Sequence, residues 1–304
     1  MRGRATSVAT GLAVLLVGFS WAMESFLGKL SLNRGYSTFD FPLVLNLGTV
    51  AVCLAACLRP GARRQVLDVP RDRVVTLGLV SLTLVFVPYL VIYLALGTLS
   101  PAETSLISSM TPLFSLVVGA VWLGVRMRPR AASCVALGFG GVCVLIVPEV
   151  SGPAQDGKAV WYLVMLLAPL SYAVSGFLIR RAARLGAGAL QLLLATNALP
   201  LVLFAVLNRG FALPAGARAA DLAVFGAGIV FNVVAVTGLM RLSTLLSPLA
   251  LSFSNYATVL FAFLLTARYL DEPLGPRVVV AGVLVVVSSL LVTGGRQAGR
   301  APSG

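Results

Sequence analysis

Long, uninterrupted apolar segments dominate the chain, and short stretches rich in Pro, Gly and Arg separate them. Ten segments of about 18–24 residues are present, and each is long enough to cross a hydrocarbon core of about 30 Å as a helix. Their hydrophobicity is continuous rather than alternating, which predicts helices and not barrel strands. The ten predicted spans are residues 8–30, 41–59, 74–96, 100–123, 131–148, 158–179, 187–207, 220–240, 246–267 and 277–295.

Composition supports the same prediction. The chain has 304 residues, of which 59% are hydrophobic and 11% are charged. Soluble proteins have about 25% charged residues, so this chain lacks the polar surface that a water-soluble fold needs. The pattern therefore predicts an all-α, multi-pass membrane protein with ten transmembrane helices.

The Lys and Arg residues indicate the orientation in the membrane. With the N-terminus inside, sixteen of the 23 basic residues fall in inner segments. This bias favours an N-in, C-in topology in the bacterial cytoplasmic (inner) membrane. The start of the chain, from Met1 to Arg4, resembles a signal peptide, but the apolar run continues to about Leu30. An uncleaved first helix is the better interpretation.

The two halves of the chain repeat each other in order. Leu99-Ser100-Pro101 recurs as Leu246-Ser247-Pro248, and Ser20-Trp21-Ala22 recurs as Ser171-Tyr172-Ala173. Each half holds five spans, an odd number, so the second copy would be inverted relative to the first, which is a common transporter design. We therefore predict one five-helix repeat over residues 8–148, an inverted repeat over 158–296 and a disordered tail over 297–304.

The remaining composition narrows the function. The net charge of +13 invites a nucleic-acid hypothesis, but the basic residues lie in short segments between spans and not on one binding face. The chain has no histidine, and histidine is the most common metal ligand and proton shuttle. We predict no metal, no cofactor and no nucleic-acid partner. The four cysteines lie inside apolar runs and are interpreted as packing residues: Cys53, Cys57, Cys134 and Cys143.

Four motifs carry a family resemblance: Ser100-Pro101-Ala102-Glu103-Thr104-Ser105-Leu106-Ile107, Thr111-Pro112-Leu113-Phe114, Leu123-Gly124 and Leu270-Asp271-Glu272-Pro273. With these the sequence resembles the drug/metabolite transporter superfamily, in its EamA-type ten-helix branch. It departs from the family pattern at Val125, where Glu would stand, and at Val259, where Pro is frequent. The resemblance implies a carrier of small solutes, many such carriers exporting amino acids. It also implies a cavity among spans 1, 3, 4, 6, 8 and 9, with spans 5 and 10 at the periphery.

Glu24 is the leading candidate for chemistry because it lies inside the first span. A carboxylate there is costly, so such residues usually face a cavity and have a function. Ser20, Trp21 and Gly28 share its helical face. The carboxyl group could bind a proton or a solute amine. The alternative is a structural acid that pairs with Lys29 or reaches the outer headgroups.

Further candidates were selected for polar or aromatic character within spans. Together with Glu24, the predicted solute-binding residues are Trp21, Tyr93, Ser108, Tyr172, Ser175, Asn232, Asn255 and Tyr256. Ser175 is the repeat counterpart of Glu24, so any charge in the site would be asymmetric. Pro88 removes a backbone donor next to Tyr89, and carbonyl groups freed there could line a cavity.

Three polar residues favour structural roles instead. Ser100-Pro101-Ala102-Glu103 reads as a capping box, so we expect Glu103 to cap a helix rather than to bind solute. Asn46 and Asn197 are related by the repeat and are expected to bond across helices.

The leading hypothesis is a secondary transporter of small metabolites such as amino acids, an exporter working by alternating access, with proton coupling through Glu24. An uncoupled facilitator is the alternative, in which Glu24 only selects cationic or zwitterionic solutes. A lipid-acting membrane enzyme or scaffold is a third hypothesis, but the sequence offers no catalytic cluster for it. The expected partners are a small solute, protons and membrane lipid, and the expected state is a monomer or a weak homodimer.

Overall fold

The computed structural model describes residues 2–58, 70–124, 129–151, 157–209, 218–245, 248–270 and 275–295. Within these ranges the chain forms only helices and the turns that join them. The thirteen helices are α1 (Arg2–Asn33), α2 (Asp40–Ala56), α3 (Arg71–Ser81), α4 (Val87–Ala95), α5 (Pro101–Ser108), α6 (Thr111–Leu123), α7 (Pro129–Ser151), α8 (Lys158–Met165), α9 (Leu167–Arg184), α10 (Ala189–Leu207), α11 (Ala219–Leu245), α12 (Pro248–Tyr269) and α13 (Pro276–Gly295).

In its described residues, each of the ten predicted apolar segments forms a single helix or consecutive helices. Among the described residues, seven segments are long and apolar enough to cross a membrane, and α2 and residues 276–291 are shorter apolar helices. The structure thus agrees with an all-helical membrane protein. The count of ten spans and the inverted repeat stay predictions. The predicted tail, residues 297–304, lies outside the described residues.

A short π-helical turn, Leu82–Phe86, joins α3 to α4 within the third predicted span. Pro88 follows it near the start of α4 and has no backbone N–H to donate. The N–H of Val87 donates to the Leu82 carbonyl, five residues back, which defines the wide turn. The wide turn inserts one extra residue and so sets the direction in which the side chains of α4 point.

The helices contact one another in a regular scheme. Helix α1 packs along α11 and α12, whereas α9 packs against α3, α4 and α6. The remaining large contacts join α2 to α10 and α7 to α13. The largest cluster of buried apolar side chains includes Phe41, Leu45, Leu96, Leu106 and Met165, all almost fully buried.

Glycines allow the closest helix crossings. A Cβ atom added at Gly18 would lie 2.6 Å from the Ala257 Cβ, so α1 and α12 cross with backbones nearly in contact. A Cβ at Gly138 would meet Leu113 and Ser288, and a Cβ at Gly141 would meet Val285. These two glycines therefore allow α7 to pack closely on α6 and α13.

Candidate functional site

Glu24 lies on the buried face of α1, with 5% of its surface exposed. The Tyr89 hydroxyl on α4 donates a hydrogen bond of 2.7 Å to Glu24 Oε2. The other carboxyl oxygen, Oε1, accepts no hydrogen bond from any residue that the structure describes. A buried acid with one oxygen left unpaired is expensive for folding alone, so this atom is a candidate contact for a proton or a solute.

A chain of hydrogen bonds continues from Tyr89 into the second half of the molecule. The Tyr89 hydroxyl also lies 3.2 Å from Asn232 Oδ1 on α11. The Asn232 amide nitrogen donates to Thr49 Oγ1 on α2 at 2.8 Å and to Asn197 Oδ1 on α10 at 3.2 Å. Five helices therefore meet in one buried polar network.

Tyrosines form the rest of the surroundings of Glu24. The rings of Tyr89 and Tyr93 meet edge to face, with centroids 5.6 Å apart. A Cβ added at Gly28 would lie 2.5 Å from Tyr93 Cε1, so the glycine lets the Tyr93 ring lie directly against α1. Tyr172 on α9 is within electrostatic range of the Glu24 carboxyl, as is Tyr93.

The structure therefore brings four of the predicted residues together: Glu24, Tyr93, Tyr172 and Asn232. Tyr89 and Thr49 were missed by the sequence prediction, although Pro88 had drawn attention to this part of the span. Asn197 bonds across helices to Asn232 in the predicted manner. Its repeat counterpart differs, because Asn46 donates to the Pro42 carbonyl in its own helix.

The two predicted serines donate their hydroxyl hydrogens to backbone carbonyls of their own helices. Ser175 donates to the Tyr172 carbonyl, and Ser108 donates to the Thr104 carbonyl, each within its own helix. Such bonds leave a serine oxygen able to accept but not to donate. In the described part of the chain, neither serine forms a hydrogen bond to the network around Glu24.

The other predicted residues are Trp21 on α1 and Asn255 and Tyr256 on α12. Trp21 packs on Val14, Val17 and Leu242. Tyr256 lies beside an apolar groove of about 530 Å³ between α1 and α12. The groove is lined by Thr10, Gly11, Val14, Leu15, Phe253, Tyr256, Ala257 and Leu260. Residues 10–15 lie about three turns along α1 from Glu24, so this groove is separate from the polar network. Asn255 is half-buried on the same helix as Tyr256.

Glu103 has the predicted capping role. Its Oε2 accepts from the backbone N–H of Ser100, whose hydroxyl accepts from the backbone N–H of Glu103. The Tyr162 hydroxyl donates to Glu103 Oε1, and the Lys158 ammonium lies 3.6 Å from the same oxygen. Both partners are on α8, so this acid also joins the two halves of the molecule.

Lys29 binds backbone carbonyls just beyond the end of α4. It is 8% exposed, and its ammonium donates to the carbonyls of Leu96 and Leu99 at 2.8 and 3.3 Å. These carbonyls follow the end of α4, where basic groups are favoured by unpaired carbonyl oxygens. Among the described residues, no group of three or more His, Cys, Asp or Glu side chains is arranged to hold a metal ion.

Fold and composition together define a multi-pass helical membrane protein. Residues 9–147 match the model of the EamA-like transporter family. This match over the first half of the chain agrees with the family that its motifs indicated, and it supports a membrane transporter of the drug/metabolite transporter superfamily. Proteins of this family are generally not enzymes.

Solved structures extend the likeness in fold to the whole chain. One crystal structure, described only as that of a protein, aligns with a TM-score of 0.56 and 21% sequence identity. The alignment covers 95% of this chain and 99% of the other. No curated protein matches the sequence. At this identity the structural likeness concerns the fold and not the solute.

Proposed function

We propose that the protein is a secondary transporter of small metabolites such as amino acids, working by alternating access, with Glu24 as the group that exchanges protons. The observation that carries the proposal is the unpaired Glu24 Oε1 in a buried polar network. Intramembrane acids in such surroundings mark ion or substrate pathways in transporters. Export is the direction of transport that the family resemblance favours.

The scheme of helix contacts supports two interchangeable halves. Helix α1, in the first predicted repeat, packs on α11 and α12 of the second. Helix α9, in the second repeat, packs on α3, α4 and α6 of the first. If each helix is replaced by its counterpart in the other predicted repeat, the contacts of α1 become the contacts of α9. The α2–α10 and α7–α13 pairs are unchanged, because each joins two counterparts. An in-plane two-fold relation produces this pattern, and inverted repeats use it to alternate access.

Polar contacts between the halves at the helix ends are suited to gates. In the predicted topology, two of them lie on the outer side: Arg34 contacts Asp221 at 2.7 Å, and Asn208 donates to Asp40 at 2.9 Å. On the inner side, Arg73 donates to the Leu185 carbonyl at 2.8 Å. Contacts near the surface cost little to exchange for water, about 1 kcal/mol or less for an ion pair.

The first experiment identifies a solute. Purified protein is screened by thermal shift against amino acids, sugars, nucleosides and cationic drugs, and each stabilising compound is then tested for uptake into proteoliposomes. A solute that binds only the folded state raises the melting temperature by mass action.

The second experiment tests the coupling. We expect Glu24→Gln to abolish accumulation of that solute driven by a pH gradient, because an amide cannot exchange a proton. Glu103→Gln is the matched control: it changes a second buried glutamate, which caps a helix, and it should retain pH-driven flux. Unchanged flux and pH dependence in Glu24→Gln would contradict the coupling. Counterflow without a pH gradient, together with no proton movement, would instead favour the uncoupled facilitator.

A further inference from the structure

The Tyr89 hydroxyl has one hydrogen and two neighbouring acceptors. Glu24 Oε2 lies at 2.7 Å and Asn232 Oδ1 at 3.2 Å, and both groups are buried. If Glu24 is ionised, Tyr89 can satisfy only one of them fully. Because Tyr89 is the only described residue that donates to either oxygen, the other acceptor is then left unpaired inside the protein.

The orientation of the Asn232 amide cannot be reversed to solve this conflict. Its nitrogen faces Asn197 Oδ1, and the Asn197 nitrogen donates to the Leu193 carbonyl at 2.8 Å. A flip of Asn232 would put its oxygen against Asn197 Oδ1, and a second flip would put the Asn197 oxygen against the Leu193 carbonyl. A backbone carbonyl on α10 thus fixes the direction of the chain of hydrogen bonds.

A proton on Glu24 resolves the conflict. The protonated carboxyl donates to the Tyr89 oxygen, the Tyr89 hydrogen turns to Asn232 Oδ1, and every bond in the chain has one donor and one acceptor. We propose that Asn232 is a positioning residue whose carbonyl, acting through Tyr89, keeps Glu24 protonated in this conformation. The proposal rests on the proposed role of Glu24 as the proton-exchanging group.

Loss of the proton from Glu24 would then change a hydrogen bond to the second half of the molecule. The carboxyl releases its proton to water, and the Tyr89 hydrogen rotates from Asn232 to Glu24 without leaving its oxygen. The Asn232 carbonyl on α11 is left unpaired, so the contact between α4 and α11 weakens. The titratable groups facing Glu24 in the described structure are Tyr89 and Tyr93 of α4 and Tyr172 of α9. Release of a proton thereby favours separation of the halves.

The first test needs no solute and no change at Asn232. Infrared difference spectra of reconstituted wild-type protein and Glu24→Gln isolate the signal of this carboxyl group. We expect the carbonyl stretch of a protonated acid at neutral pH. A carboxylate signal in its place would overturn the proposal, whatever the other variants do.

The second test asks whether Asn232 acts through Tyr89. It is made at the pH where the wild-type acid band has half its full height. Asn232→Leu removes the acceptor, so we expect the ratio of acid to carboxylate to fall about tenfold, the size of one buried hydrogen bond. In a Tyr89→Phe background the same change should have no effect, because the connecting hydroxyl is gone. Asn46→Leu makes the same change at a buried asparagine that bonds to a carbonyl of its own helix, so it is the control and should retain the band.

An equal effect of Asn232→Leu in both backgrounds would overturn the proposal, since it would indicate a general disturbance of packing. These outcomes are independent of the transport assay. If flux depends on Glu24 but the acid band does not change in Asn232→Leu, only the role of Asn232 is contradicted. If the band depends on Asn232 but flux is uncoupled from protons, only the proton coupling is contradicted.

Discussion

The crossing of α1 and α12 provides the most direct test of the helix arrangement. An alanine Cβ at position 18 would lie 2.6 Å from the Ala257 Cβ, 2.6 Å from the Ser254 carbonyl oxygen and 3.0 Å from the Thr258 nitrogen. None of these atoms can rotate away. Ordinary contacts begin near 3.4 Å, so the helices must separate by about 0.8 Å in Gly18→Ala.

The same helix offers a matched control at Gly11, where an added Cβ would meet no atom within 4 Å. Gly11→Ala should stabilise the protein by up to about 1 kcal/mol through helix propensity. Gly18→Ala has the same propensity gain but should lose about 1–3 kcal/mol to overpacking. We expect Gly18→Ala to melt roughly 2–10 °C below Gly11→Ala in thermal denaturation of the purified protein.

A second substitution sharpens this comparison. Ala257→Gly removes one of the three close contacts, so Gly18→Ala should cost less stability in an Ala257→Gly background than in the wild type. Equal or higher melting of Gly18→Ala relative to Gly11→Ala would refute the crossing at this point.

Three further expectations concern the helix ends and the topology. Lys29→Met should lower stability by about 1–3 kcal/mol in thermal denaturation, because buried carbonyls at the end of α4 lose their donor. Tyr162→Phe should cost about 1–2 kcal/mol in the same assay, since Glu103 loses its hydroxyl donor, and an unchanged melting temperature would argue against this contact. In a background without native cysteines, Ser37→Cys should react with an impermeant thiol reagent applied outside, whereas Ala189→Cys should react only in opened vesicles; the reverse result would contradict the N-in topology.

The helical segments could be predicted from sequence because continuous apolar runs leave few alternatives in a membrane. The interruptions were harder to predict. The fourth predicted span is divided at Ser109 and Met110, just before α6, and Pro112 near the start of α6 is the local signal. The sixth is divided at Leu166, three residues before Pro169. Both prolines are visible in the sequence, but a proline inside a span can also be accommodated without a break.

The candidate site could be predicted only in part. Glu24 was identified because a buried charge is costly wherever it points. Tyr89 was not selected, although it follows Pro88 directly and lies in the same span as Tyr93. Its partnership with Glu24 and Asn232 depends on the rotation of α4 about its axis. That rotation is fixed by tertiary structure and not by local pattern.

The π-helical turn at Leu82–Phe86 limits which changes in sequence length this segment can accept during evolution. Removal of one residue from the turn would restore regular α-helical bonding and rotate everything after it by about 100° relative to α3. The Tyr89 hydroxyl would then leave Glu24, and Tyr93 would leave its position beside Gly28. Point substitutions that keep the turn apolar should therefore be tolerated, whereas single-residue insertions and deletions should be eliminated. In this segment, we therefore expect natural selection to act on length more strongly than on composition.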